Sequence, residues 1–203
     1  MNLGALRSHF KSLLNRSDIT DALANTFIDQ GISRIQRSLR IPIMEKQAQY
    51  PISASTSKLT VPNDFLEIID FYYDNMMLTR MPMNRMQRLK DDVRTGSPLY
   101  FSREGGDFLL HPIPTSGTVY INYYAQFPTM SLDSDENTLA KIGSDLIIYS
   151  ALTYASDYYL DERAGLFSEK YQAFMYEIQL QADEAETGGT IQSIRPAYQY
   201  HVE

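Results

Sequence analysis

Apolar residues recur at helical spacing at the start of the chain, where Leu3, Leu6, Phe10 and Leu13 line one face over residues 3 to 14. Asn15-Arg16-Ser17-Asp18 breaks that pattern and supplies a new N-cap, so a second helix is predicted over residues 18 to 40. Its apolar positions fall on two sides. Ile19, Leu23 and Phe27 point one way, and Ile28, Ile32, Ile35 and Leu39 point nearly the opposite way, with Gly31 near the changeover. Either this helix kinks at Gly31 within one chain, or it stays straight and buries one face in its own core and the other against a second chain.

From Tyr50 to Pro128 the period falls to two and turn residues multiply, which predicts a β-rich segment. Leu66 to Tyr73 is followed by Asp74-Asn75 and Met76-Met77-Leu78, a hairpin pattern. A second hairpin is predicted where Leu99-Tyr100-Phe101 meets Phe108-Leu109-Leu110 through Glu104-Gly105-Gly106-Asp107. Val119, Ile121, Tyr123 and Ala125 alternate with Tyr120, Asn122, Tyr124 and Gln126, so this strand has one apolar and one aromatic-polar face. Residues 82 to 94, with Arg85, Arg88, Lys90 and Arg94, read as a short basic helix or ordered loop.

Helical spacing returns after the acidic linker Ser131 to Asn137. Over 138 to 160, Ile147, Ala151, Tyr154, Ala155 and Tyr158 form one face, and Ile148, Leu152 and Tyr159 widen it, so this helix is expected to be central. A last helix over 163 to 185 places Phe167, Tyr171, Phe174 and Ile178 together and ends at Gly188-Gly189. Residues 190 to 203 hold too little apolar material to fold alone, and are expected either to stay disordered or to dock on something. The fold predicted is α+β. A helical bundle from residues 1–48 and 131–186 carries an inserted antiparallel β-domain, 49–130, and an extended C-terminal arm, 187–203.

The length of 203 residues is enough to bury one core without staples. No Cys is present, which removes disulfides, thiolate metal sites and cysteine nucleophiles. His9, His111 and His201 are scattered without paired spacing, an argument against zinc hydrolases. Phosphate loop, dinucleotide fingerprint, nucleophile elbow and H-E-x-x-H are absent from the sequence. Asp133, Asp135 and Asn137 have the first spacings of a calcium loop, but Thr138 stands where glycine is required and Ser144 where a bidentate glutamate is required. Asp91-Asp92 and Asp161-Glu162 sit at predicted helix ends. The expectation is a non-enzyme without cofactor or metal. No apolar run is long enough to span a bilayer, and Arg7, His9 and Lys11 interrupt any export signal, so no membrane partner is expected.

Charge is uneven along the chain. Residues 1–50 hold seven Lys/Arg against four Asp/Glu, residues 51–130 seven against eight, and residues 131–203 four against thirteen, within a net −7. An acidic end disfavours ordinary nucleic-acid binding and suits either a solvated face or head-to-tail contact between copies. Met76, Met77, Met81, Met83 and Met86 crowd into eleven residues, as core filler or as an accommodating interface. Fifteen tyrosines suit sheet packing, protein contact or glycan stacking, although the absence of Trp counts against the last.

Several stretches carry a family resemblance. They are the N-terminal helices, Leu59-Thr60-Val61-Pro62-Asn63-Asp64-Phe65-Leu66-Glu67, Gly96-Ser97-Pro98-Leu99-Tyr100-Phe101 before a Gly-Gly turn, and Leu109-Leu110-His111-Pro112-Ile113-Pro114. Val119-Tyr120-Ile121-Asn122-Tyr123-Tyr124-Ala125, the Leu/Ile/Tyr/Ala-rich helix, and Asp161-Glu162-Arg163-Ala164 with Tyr171 complete the set. In this order the chain resembles the head-to-tail adaptors of tailed bacteriophages, the gatekeeper or tail-tubular type. The resemblance implies a structural ring, typically of twelve copies, that docks under the portal protein, receives a tail nozzle or tail tube, and passes genomic DNA through its lumen without reading it. It also implies a place at the head-tail junction of the virion after assembly in the host cytoplasm. On that reading the arm contacts the portal or a neighbour through Arg195, Tyr198 and Tyr200. The subunit or tail interface draws on the five clustered methionines and on Ile28, Ile32 and Ile35. The competing expectation is a carbohydrate- or receptor-binding module working through Tyr120 and Tyr124.

Overall fold

The computed structural model describes residues 1–53, 55–89 and 94–187. Helix α1, Leu3–Leu14, begins where the Asn2 side chain accepts from the Ala5 amide and ends at Asn15 in the left-handed conformation. Helix α2, Asp21–Ser38, starts later than expected. Thr20 is its cap, because Asn15 closes α1 and the Asp18 carboxylate is engaged by Arg16 at 2.9 Å. A 3-10 turn at Pro42–Met44 leads into the sheets.

The strands are β1 Glu45–Pro51, β2 Lys58–Thr60, β3 Phe65–Tyr73, β4 Met76–Met77 and β5 Thr79–Arg80. After helix α3, Met83–Leu89, come β6 Tyr100–Glu104, β7 Asp107–His111 and β8 Thr118–Ala125. Two four-stranded sheets result, ordered β1-β8-β3-β4 and β2-β7-β6-β5. Both expected hairpins form, Tyr73 pairing Met76 and Glu104 pairing Asp107. The sheets are not wholly antiparallel, since β5 runs parallel to β6. A parallel pair needs a crossover, and α3 lies in the connection between these two strands. On β8 the alternation holds along the strand, with Val119, Ile121, Tyr123 and Ala125 all buried.

The second core lies between the inner faces of the sheets. Phe71 of β3 stacks on Phe101 of β6 at 4.4 Å and meets Phe108 of β7 edge-on at 5.3 Å, so one aromatic side chain bridges the two sheets. Tyr123 donates to Asp64, which also receives Lys46 at 2.6 Å. Burial, then the hydrogen bond to the Asp64 carboxylate, push the Tyr123 phenol up to about 12.

The chain returns to helix in α4 Thr138–Ile142, α5 Ser144–Tyr159 and α6 Ala164–Thr187. The helix expected over 138 to 160 is therefore two. The break falls at Gly143, where φ is −144° and ψ 51°, and where a Cβ would stand 2.8 Å from Ile178 Cδ1 of α6. Helix α5 is central, packed on α1, α2, α4 and α6, with Ile147, Ile148, Ala151, Leu152 and Ala155 buried. Tyr158, assigned to that face by its spacing, is exposed instead, its ring edge-on to Phe27 and to Tyr159 at the surface.

Helix α2 runs unbroken from Asp21 to Ser38, so Gly31 is not a kink. Its absent side chain serves a close helix crossing, for a Cβ there would meet the Ala151 amide at 3.0 Å and the Ile147 carbonyl at 3.3 Å. The Ser150 hydroxyl donates to the Gly31 carbonyl at this crossing. Both apolar sides of α2 are covered within the one chain. Ile28, Ile32 and Ile35, expected to face another copy, are 0%, 9% and 0% exposed and belong to the helical core, because α5 crosses close enough to cover them.

Candidate functional site

The acidic residues of the linker are committed to structure. Arg7 of α1 forks onto Asp133 at 2.8 and 2.6 Å, and that hydrogen bond holds the Asp133 carboxyl below the usual range. Asp135 accepts from the Ser131 and Leu132 amides, and Asn137 caps α4 through the Ala140 amide at 2.8 Å. These contacts use up the three positions that have calcium-loop spacing. Among the described residues no three His, Asp or Glu side chains are grouped to hold a metal.

The Asp161-Arg163 stretch forms a corner between helices. Arg163 donates to the Leu13 and Leu14 carbonyls at the end of α1, at 3.2 and 3.0 Å, and closes back on Asp161 at 2.6 Å. Positive charge at a helix C-terminus is favourable, so this guanidinium ties α1 to the start of α6. The Arg163 side-chain and backbone hydrogen bonds lower Asp161 to about 2. A carboxyl depressed in the folded state stabilises above its unfolded value, about 4, and that contribution is lost as pH falls towards about 2. Asp161→Asn is therefore expected to lower the urea midpoint at neutral pH and to match the wild type near pH 2, in paired denaturation series. Arg163→Ala is expected to stay below the wild type even near pH 2, because its bonds to the Leu13 and Leu14 carbonyls do not depend on the ionisation of Asp161.

The clustered methionines divide. Met86 of α3 is buried, Met81 and Met83 are half-buried, and Met76 and Met77 are exposed, Met77 by 60%. Met83 and Met86 help line a small cavity against Leu109, Leu110 and His111 of β7. Met81 and Met83 instead wall an open cleft of about 400 Å³ with Arg80 and Arg103. Arg103 lies 4.9 Å over the Phe65 ring, which fixes its guanidinium at the rim. Arg85 and Arg88 stand exposed on α3 nearby. Among the described residues neither they nor Arg80 meets a carboxylate. The basic residues nearer the N-terminus are different, since Arg7, Lys11, Arg16 and Arg40 all pair within the chain. Arg34 and Arg37 of α2 meet hydroxyls and aromatic rings instead of carboxylates, so positive charge without an ion-pair partner among the described residues stands both on α2 and on the β side.

Tyrosines on the outer face of the first sheet form a row with the methionines. Register places Met77 beside Tyr72, Tyr72 beside Tyr120, and Tyr120 beside Gln49, on the face opposite Phe71 and Ile121. Tyr124 lies below the Arg40 guanidinium and against the helical core, so it is not free to stack on a sugar.

A second surface escaped the sequence reading. Helix α6 buries Phe167 and Tyr171 as expected, yet its solvent side carries Leu166, Ala173, Tyr176 and Leu180, all exposed. Their intervals of seven, three and four residues were legible as a second stripe offset from the core one. Beside Tyr176 a cleft of about 370 Å³ is lined by Ser38, Tyr171, Gln172, Met175 and Gln179. Glu169 lies within the stripe between Leu166 and Ala173, with Glu162 and Glu177 nearby, and none of the three has an ion-pair partner among the described residues.

Arg195, Tyr198 and Tyr200 lie outside the described residues, as do Lys90, Asp91, Asp92 and the Gly188-Gly189 pair. No curated protein matches the sequence significantly. A family match does cover the helices, both sheets and both surfaces described above: residues 1–194 fit the family described as SU10 adaptor protein. An α+β chain with N- and C-terminal helices around a two-sheet segment, matched over nearly its whole length, belongs to the SU10 adaptor protein family.

Proposed function

We propose that this phage adaptor works at the head-tail junction of the virion, as a ring, of about twelve copies by the resemblance drawn from its motifs, that joins the portal protein to a tail nozzle or tail tube. The observation that carries this reading is the family match over residues 1–194. Two exposed apolar surfaces of opposite flanking charge support it, because a subunit in a closed ring needs two different faces, one for each neighbour. On this reading residues 1–48 and 131–186 act as a helical domain, residues 49–130 as an inserted β-domain, and the arm 187–203 reaches the portal or a neighbour through Arg195, Tyr198 and Tyr200. Genomic DNA passes through the lumen unread, and the assembly step belongs to the host cytoplasm. No catalysis is part of the proposal, and no helix among the described residues is long and apolar enough to cross a membrane.

Mass by light scattering after size exclusion tests this directly, comparing the full-length chain with a chain ending at Gly188, each alone and each with the cognate portal. The full-length chain is expected to co-elute with portal in stoichiometric amount and the shortened one to lose it. Co-elution of both moves the contact to the helices or sheets. Co-elution of neither overturns the portal-binding reading and sends attention to the tyrosine row as a receptor surface.

A further inference from the structure

We propose that the exposed stripe of α6 in one copy seats on the methionine-arginine surface around α3 of the next copy, a head-to-tail contact between two second-copy faces of the same chain. The inference deepens the ring reading and rests on it. Three observations carry it. The α6 stripe carries Leu166, Ala173, Tyr176 and Leu180 with Glu169 set among them, Tyr176 is 67% exposed, and nothing among the described residues covers it. Among the described residues its carboxylates Glu162, Glu169 and Glu177 have no ion-pair partner, and neither do Arg80, Arg85 and Arg88 of the surface around α3. Each surface also carries a concavity, the arginine-methionine cleft of about 400 Å³ and the cleft of about 370 Å³ beside Tyr176.

The chemistry of the fit is ordinary. A stripe of apolar side chains with carboxylates in and beside it is stabilised by apolar burial and by guanidiniums that meet those carboxylates. Methionine suits the receiving side because its unbranched thioether adapts to a ridge it did not fold against. The two surfaces differ from each other, so the contact is heterologous. It propagates from copy to copy and closes when the rotation allows, whereas a self-complementary patch stops at a dimer. The charge arrangement opposes that dimer, since α6 against α6 sets like carboxylates together.

The chain has no cysteine, so introduced thiols report on this contact alone. Asn84 on α3 and Ala173 on α6 are both exposed. Full-length N84C and A173C chains, mixed at high concentration under mild oxidation, are expected to give the mixed disulfide in roughly ten-fold excess over either self-disulfide, the discrimination of about 1.4 kcal/mol of contact preference. A chain carrying both thiols is expected to give a ladder of multimers. Adding R85E and R88E should remove the excess, and E169R with E177R on the partner should restore it. Self-disulfides of A173C alone would overturn the proposal in favour of a two-fold α6 contact. Absence of any disulfide while light scattering still records a multimer overturns this contact and leaves the ring standing. Absence of both overturns the contact and counts against the ring as well. If the R85E/R88E chain cross-links unchanged but loses affinity for duplex DNA, the basic surface faces nucleic acid and the proposal fails.

Discussion

Replacing Phe71 with alanine is expected to remove about 3–5 kcal/mol of stability, the range found when a fully buried aromatic is truncated in a core. Phe71 is 1% exposed and its ring is the bridge between the sheets, stacked on Phe101 and edge-on to Phe108. The loss has two parts, the apolar surface returned to water and the cavity that the two remaining rings leave unfilled. Phe71→Leu keeps most of the volume and is expected to lose less than half as much. Hydrogen exchange resolved by segment gives the more informative readout. If helical and β parts are separate domains, amides of β3, β6, β7 and β8 lose protection in Phe71→Ala while those of α5 keep theirs. Equal loss across both would show one cooperative unit and would sink the proposed division.

At the other core, Gly31→Leu is expected to destabilise by about 3 kcal/mol or more, the upper end for overpacking, because the obstacle is backbone and not a side chain that can swing aside. The Ala151 amide lies 3.0 Å and the Ile147 carbonyl 3.3 Å from where the first added carbon would sit. Helix α2 would have to move away from α5 and release the Ser150 hydrogen bond to the Gly31 carbonyl, opening the contact that buries Ile28 and Ile35. Gly31→Ala separates the causes. It gains up to about 1 kcal/mol of helix propensity, so the squeeze is that variant's net loss with this gain added back. Urea denaturation of the three chains gives the comparison, and a neutral Gly31→Leu would mean that the crossing is looser than the structure has it.

Much of the architecture was legible because each element repeats its own period. Leu3, Leu6 and Phe10 mark α1, and the alternation from Val119 to Ala125 marks β8, each from local spacing alone. What stayed hidden depends on contacts between distant residues. Gly31 reads equally as a kink or as a crossing until Ala151 is known to lie against it. The break at Gly143 becomes visible only when Ile178 of α6 is placed beside it. The parallel pairing of β5 leaves no mark in two residues, Thr79 and Arg80. Charge behaved in the same way. Counting placed the surplus of cations near the N-terminus, where Asp21, Asp133 and Glu67 neutralise part of it, and it could not show that Arg80, Arg85 and Arg88 of the β side meet no carboxylate among the described residues. At the surfaces, the methionine cluster was visible as composition. The α6 stripe was overlooked because a stronger core stripe runs along the same helix.

The two covalent connections between helices and sheets leave through neighbouring strands. Strand β1 enters at Glu45 and β8 exits near Tyr124, and these two residues face each other at one end of an antiparallel ladder that runs to Pro51 and Thr118. Mechanically that makes the joint a two-ply strap. A pull between the helical and β parts draws both strands from the same end, so they travel together and their shared ladder is not sheared. The resisting shear falls on the next ladder, between β8 and β3, which is regular from Asp70 to Tyr73 and interrupted by two register shifts towards Phe65. A subunit anchored by its helices and tugged through its sheets would hold until the β3–β8 ladder gave way.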